Sequence, residues 1–176
     1  MPSAAAAPTE PGAGGRPAAG DTLEGLREGR SFAVTGDLID ALEMTVSPAD
    51  AARPAATTGG TVHVPADTPM RLALRVREPM QPNAHGQVPK LHHVDIILGT
   101  TDASGAARMQ VKRLEAHDWT REGPWLAMEW EFPAPSRGFV RVRGTNTRDE
   151  EPKADIAGED PWQDLWFYSN PVFVTP

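Results

Sequence analysis

The chain has 176 residues, a length that suits one domain with a tail and leaves little room for two. Its 39% hydrophobic and 23% charged residues are a globular composition, which excludes a chain disordered throughout, and 18 prolines with 16 glycines are too many breakers for a helical bundle. A formal net charge of -7 argues against non-specific binding to nucleic acid or anionic lipid, and the absence of cysteine excludes disulfides, thiolate metal sites and a cysteine nucleophile.

Residues 1–20 are almost all Ala, Pro and Gly, which cannot bury enough apolar surface to offset the entropy of ordering them. They predict a disordered tail or linker, with the folded domain over 21–176. The only hydrophobic stretch there is Ala4 to Ala7, with no basic start, so no secretory signal is expected and the compartment stays open. No apolar run approaches the roughly 20 residues of a membrane span. Asp21 then reads as a helix N-cap, Glu24 as its capping-box partner and Gly29 as a stop, predicting one short helix over 22–28.

Beyond Gly29 the apolar period changes to two. Phe32 and Val34 form one segment, and Leu42, Met44 and Val46 the next, across a Gly36-Asp37 turn. Val62 and Val64 mark a third. Met70, Leu72, Leu74 and Val76 alternate with Arg71, Arg75 and Arg77 in the clearest strand. Val94 to Leu98, Met109 and Val111, Leu126 to Phe132, and Val140 and Val142 continue the series. The last segment, 165–174, is apolar on both parities, as in a strand buried on two sides. About nine short, turn-bounded strands and one helix predict an all-β, immunoglobulin-like antiparallel sandwich, because each amphipathic sheet must bury its apolar face against another layer. A closed barrel is the alternative.

The candidate sites are few. His92, His93 and Asp95 invite a metal, but adjacent strand residues face opposite sides, and His93 with Asp95 supplies two ligands without a recognised spacing. No cofactor and no catalytic residue is expected, since no serine lies in a nucleophile elbow and the glycine-rich stretches lack a phosphate cradle's context. The Arg71, Arg75 and Arg77 face, like Arg141 and Arg143, matches the alternation of Glu129 and Glu131. Side-by-side strands would therefore pair these charges on a solvated face. All five tryptophans fall between Trp119 and Trp166. Trp130 has buried parity, whereas Trp119, Trp125 and Trp162 lie near turns and, with Arg75 and Arg77, are the candidate ligand or partner surface. Residues 148–164 carry seven acidic against two basic side chains but no calcium-loop pattern, and read as a charged cover over a sheet edge.

Four strings, residues 26–39 (LREGRSFAVTGDLI), 92–99 (HHVDIILG), 141–146 (RVRGTN) and 164–174 (DLWFYSNPVFV), together resemble the C-terminal β-sandwich region of bacterial phosphoesterases of the PHP (polymerase and histidinol phosphatase) superfamily. The resemblance runs from about Asp21 onward. It implies a metal-dependent catalytic barrel N-terminal to such a region, and the His and Asp motifs of that barrel are missing from residues 1–20. The expectation is a non-catalytic accessory domain that packs against a PHP-type catalytic domain or another protein. A stand-alone carbohydrate or cell-surface binding module is the second reading, and a hydrolase with a novel metal site around His93 and Asp95 the third.

Overall fold

The computed structural model describes residues 19–50, 55–101, 104–150 and 160–176. Most of the expected tail and the middle of the acidic stretch, 151–159, lie outside the described residues. Helix α1 (Ala19–Arg27) starts earlier than the capping pattern predicts, so Asp21 sits in its first turn, where a carboxylate still complements the helix dipole, and not at the cap. Its end follows the expectation. Gly29 has φ 69°, the Arg30 amide donates to the Gly25 carbonyl at 2.8 Å and the Gly29 amide to that of Leu26 at 3.2 Å, a Schellman closure.

The described residues form twelve strands: β1 (Phe32–Val34), β2 (Ala41–Pro48), β3 (Ala56–Thr57), β4 (Thr61–His63), β5 (Pro69–Arg77), β6 (His93–Thr101), β7 (Ala107–Glu115), β8 (Thr120–Glu122), β9 (Trp125–Pro133), β10 (Gly138–Thr145), β11 (Trp166–Ser169) and β12 (Val172–Thr175). The excess over nine has two causes. Strands β3 and β8 are two and three residues long and too short to carry a period. The last expected strand is divided by a register slip: Arg143 pairs with Tyr168 but Val140 with Val172, so three residues oppose two in a β-bulge. Pro171 has no amide to give the ladder there, and the Ser169 hydroxyl accepts from the Val142 amide at 2.9 Å.

The two sheets confirm an all-β sandwich. One runs β3-β2-β5-β9-β8, antiparallel throughout. In the other, β10 is central, with β6 and then β7 on one side. Its other edge is shared by β11, flanked by antiparallel β1, and β12, flanked by β4. The β12–β4 pairing is parallel, an exception to the antiparallel expectation. Met44, Leu72 and Met128 of the first sheet meet Ile96, Val142 and Phe167 of the second in one core. Each fully buried side chain of this kind contributes roughly 1.5–3 kcal/mol relative to exposure.

The solvated-face reading holds for the first sheet, where β5 and β9 are neighbours and Arg71 meets Glu129 at 2.7 Å and Arg75 meets Glu43 at 2.9 Å. Such exposed pairs contribute a few tenths to about 1 kcal/mol. Two-sided burial of the last strand holds only for β11, with Trp166 and Phe167 both buried. In β12 the outward Phe173 is exposed.

Candidate functional site

The outer face of the β7-β6-β10 sheet should be wet by alternation, yet part of it is buried. Register sets its side chains in rows. Arg113, Asp95, Arg143 and Tyr168 form one row, Val111, Ile97 and Arg141 the next, and Met109, Gly99, Phe139 and Phe173 the third.

The first row is ionic. The fully buried Asp95 carboxylate accepts from Arg113 Nε at 2.8 Å and Nη2 at 3.1 Å, and from Arg143 Nε at 3.3 Å and Nη2 at 3.2 Å. Burial by itself pushes this carboxyl up. The hydrogen bonds and charge of Arg113, with the charge of Arg143, outweigh that and hold it below the ordinary carboxylate range. His93, also fully buried, has Nε2 3.9 Å from Asp95 Oδ2 and no hydrogen-bond partner for that nitrogen among the described residues. Burial first, then the Arg113 charge, keep its imidazole below the usual range and so neutral. Beside the row lies a cleft of about 380 Å³, lined by Asp95, Val111, Arg113, Arg143 and Glu150.

One expectation about this cluster is corrected. His92 and His93 were to diverge as neighbours on a strand, but β6 begins at His93 and alternation does not govern His92. Their rings meet edge to face at 5.4 Å, with the two Nδ1 atoms 3.1 Å apart. Among the described residues no group of three or more His, Asp or Glu is placed to hold a metal ion. Chemically the row is a strut, since both Asp95 oxygens accept from guanidinium groups.

The third row is apolar and open. Gly99 has no side chain because the Phe139 ring takes the space: a Cβ at 99 would lie 2.3 Å from Phe139 Cε1. Met109 is 64%, Val111 51% and Phe173 43% exposed, and Ile97, on the same face, is buried beneath its neighbours. Five apolar side chains thus run across β12, β10, β6 and β7. On the opposite edge of the ladder β7 pairs, among the described residues, with β6 alone, and residues Ala107 to Lys112 are exposed.

Of the sequence candidates, Arg75, Arg77 and Trp125 come together on the other sheet. The Arg75 guanidinium lies 4.6 Å and that of Arg77 5.7 Å from the Trp125 ring centre, and Arg75 also pairs with Glu43 and Glu122. Trp119 packs against the core, and Trp162 stacks on His85 at 5.5 Å. No ring contact joins any two of these three tryptophans among the described residues. Arg143, grouped by its alternation with the solvated arginines, belongs instead to the buried ionic row.

Sequence reasoning missed Glu78. Its buried carboxylate accepts from the Leu91 amide at 3.0 Å, Arg121 at 2.8 Å and Lys90 at 3.3 Å. Burial raises its pKa, and Arg121, the Leu91 amide and Lys90 together reverse the shift to a net lowering. The signal was present, because Glu78 continues the even, core-facing parity of Met70 to Val76. No family model matches the chain, and no curated protein or solved structure matches it.

Proposed function

We propose that this chain is a non-catalytic β-sandwich module whose work is to seat a protein partner on the outer face of its β7-β6-β10 sheet. The observation that carries the reading is the apolar patch of exposed Met109, Val111 and Phe173 beside half-buried Phe139. A contiguous, exposed apolar band rimmed by charges costs solubility and is typical of interaction surfaces. The resemblance to the sandwich region of PHP-type phosphoesterases makes a catalytic barrel of that class the partner we favour. The carbohydrate reading has less support, because Trp125 is stacked by Arg75 and Trp162 by His85, and no ring contact joins two of the candidate tryptophans among the described residues.

The test is co-expression with a PHP-type barrel encoded beside this chain's gene, followed by light scattering on the purified mixture. A one-to-one complex is expected, abolished by Phe173→Asp, a partly exposed position, while the free variant should keep the parent's circular dichroism spectrum. The chain alone should not hydrolyse aryl phosphates with added manganese or zinc. Turnover that survives repurification and disappears in His93→Ala would overturn the proposal.

A further inference from the structure

One side chain within the apolar face is charged. Arg141 stands on the outer parity of β10, directly opposite Ile97 across the ladder and two residues from Phe139. It is half-buried, and its Nε is shut off from solvent with no hydrogen-bond partner. Other strand arginines are served differently. On the same face Arg113 and Arg143 close on Asp95 at 2.8 and 3.2 Å, and on the other sheet Arg71, Arg75 and Arg77 lie 2.7, 2.9 and 3.8 Å from Glu129, Glu43 and Asp40. Among the described residues no acid closes on Arg141, and Asp95 is already taken by two guanidinium groups.

Arg141 shares a row with Val111 and adjoins the row of Met109, Phe139 and Phe173, so whatever covers those side chains covers the guanidinium too. The part of Arg141 that still meets water would then lose it. A wholly apolar partner surface would leave a cation buried without a counter-ion, which is strongly unfavourable. A second copy of the chain does not supply the missing charge. The two apolar rows hold no acidic side chain, and a two-fold contact through them would bring one Arg141 toward another.

We infer that the protein seated on this face presents an aspartate or glutamate to Arg141, set among apolar side chains. The planar guanidinium can hold such a carboxylate through two parallel hydrogen bonds, which fixes orientation as well as charge. The apolar patch supplies area, and Arg141 rejects surfaces that lack the acid. Such recognition rests on the protein-partner reading and adds the side chain by which that partner is known.

Urea unfolding tests the arginine with no partner present. In the free chain its guanidinium contributes a charge and no bond, so Arg141→Met, which keeps an apolar stem, should leave the midpoint at or above the parent's. A lower midpoint would show that the guanidinium is held within the chain, and overturns the inference.

Partner chemistry is read with a phage-displayed library of random twelve-residue peptides, panned on the full chain and depleted on Phe173→Asp so that survivors need the face. Survivors should carry Asp or Glu flanked by Leu, Phe or Trp. The strongest, labelled with fluorescein and titrated by anisotropy, should bind Arg141→Gln about thirty-fold more weakly than the parent. Arg141→Lys should lose less, since the ammonium keeps the charge but not the fork. Changing the peptide's acid to its amide should weaken binding to the parent by the same factor and leave binding to Arg141→Gln unchanged. Face-dependent peptides without an acid, or Arg141→Gln binding within about three-fold of the parent, overturn the inference and leave the face reading standing. If no survivor depends on Phe173, or if the chain dimerises through this face and excludes peptides, the face reading fails and the inference with it.

Discussion

Replacing Asp95 with Asn keeps the side chain's shape and removes the charge on which two guanidinium groups converge. Four N–H donations at 2.8 to 3.3 Å end on this carboxylate, which is wholly buried. Breaking a buried ionic cluster at one member costs about 3–5 kcal/mol, mostly because the remaining charge is left without a counter-ion. The side chains of Arg113 and Arg143 are 29% and 12% exposed, so Arg113 can turn to water and Arg143 cannot. The loss should therefore fall near the lower end, about 3 kcal/mol, measured by urea unfolding at neutral pH. Changing the cluster to Asp95→Leu, Arg113→Leu and Arg143→Met together should restore at least half of that, because no unpaired charge is left behind.

Acid gives an independent check. The Asp95 pKa is lowered in the folded state, so the unfolded chain takes up its proton first. The stabilisation is complete above the ordinary carboxylate value, near 4, and is lost as pH falls below it. The Asn variant should lack that part of the slope. An Asn variant within about 1 kcal/mol of the parent, or a triple variant less stable than the single one, would falsify the account of this row as a buried ionic strut.

Phe167→Ala should lose about 3–5 kcal/mol in the same urea assay, as for a buried aromatic ring, whereas Asp149→Asn with Glu150→Gln should stay within about 0.5 kcal/mol of the parent. The reverse ranking would show that the acidic segment holds the fold. The His93 pKa is also lowered on folding, so stability should begin to fall as pH drops through the ordinary histidine value, near 6.5, where the unfolded chain binds the proton first. Urea midpoints at pH 5 and 8 should differ in the parent, and a His93→Gln variant with the same difference would assign it elsewhere. Gly144→Ala would place a Cβ 2.4 Å from Phe167 Cε1 and 2.9 Å from the His93 carbonyl, inside the core, and should cost about 2 kcal/mol or more. Gly99→Ala meets only Phe139, which can turn toward water, and should cost about half as much. Thermal melts of the two variants check the order.

Strand positions were legible wherever one face is wet and the other dry, as in Met70 to Val76 against Arg71 to Arg77, because burial then writes a period of two into the residues. The helix stop was legible too, since Gly29 is a local backbone requirement. The slip at Ser169 to Pro171 was not, because it depends on which strand lies opposite. Neither was the ionic row: alternation marks Asp95 and Arg143 as outward, and outward was read as wet. The clue lay in Ile97, apolar on the outward parity of β6, which shows that both faces of that strand are covered. Trp125 stands out in the sequence by its place near a turn and Arg75 and Arg77 by their basic strand face, and they do meet, but in a cation–π stack beside its own acids.

The bulged strand has a consequence for how the chain is made. Strands β11 and β12 stand between β10 and the two early strands β1 and β4, pairing Phe32 with Ser169 and Thr61 with Phe173. Until that final stretch leaves the ribosome, β1 and β4 have no ladder to join and the outer edge of β10 is bare. Loop-closure entropy across most of the chain must be met in one late step, which makes folding slow and largely post-translational. During synthesis the nascent chain therefore exposes β-forming apolar segments for the time needed to add more than a hundred residues, roughly 5–20 s at ordinary elongation rates. Nascent-chain chaperones are the natural guardians of that interval, and a stop codon placed before Trp166 should convert the product from a folded domain into one of their stable clients.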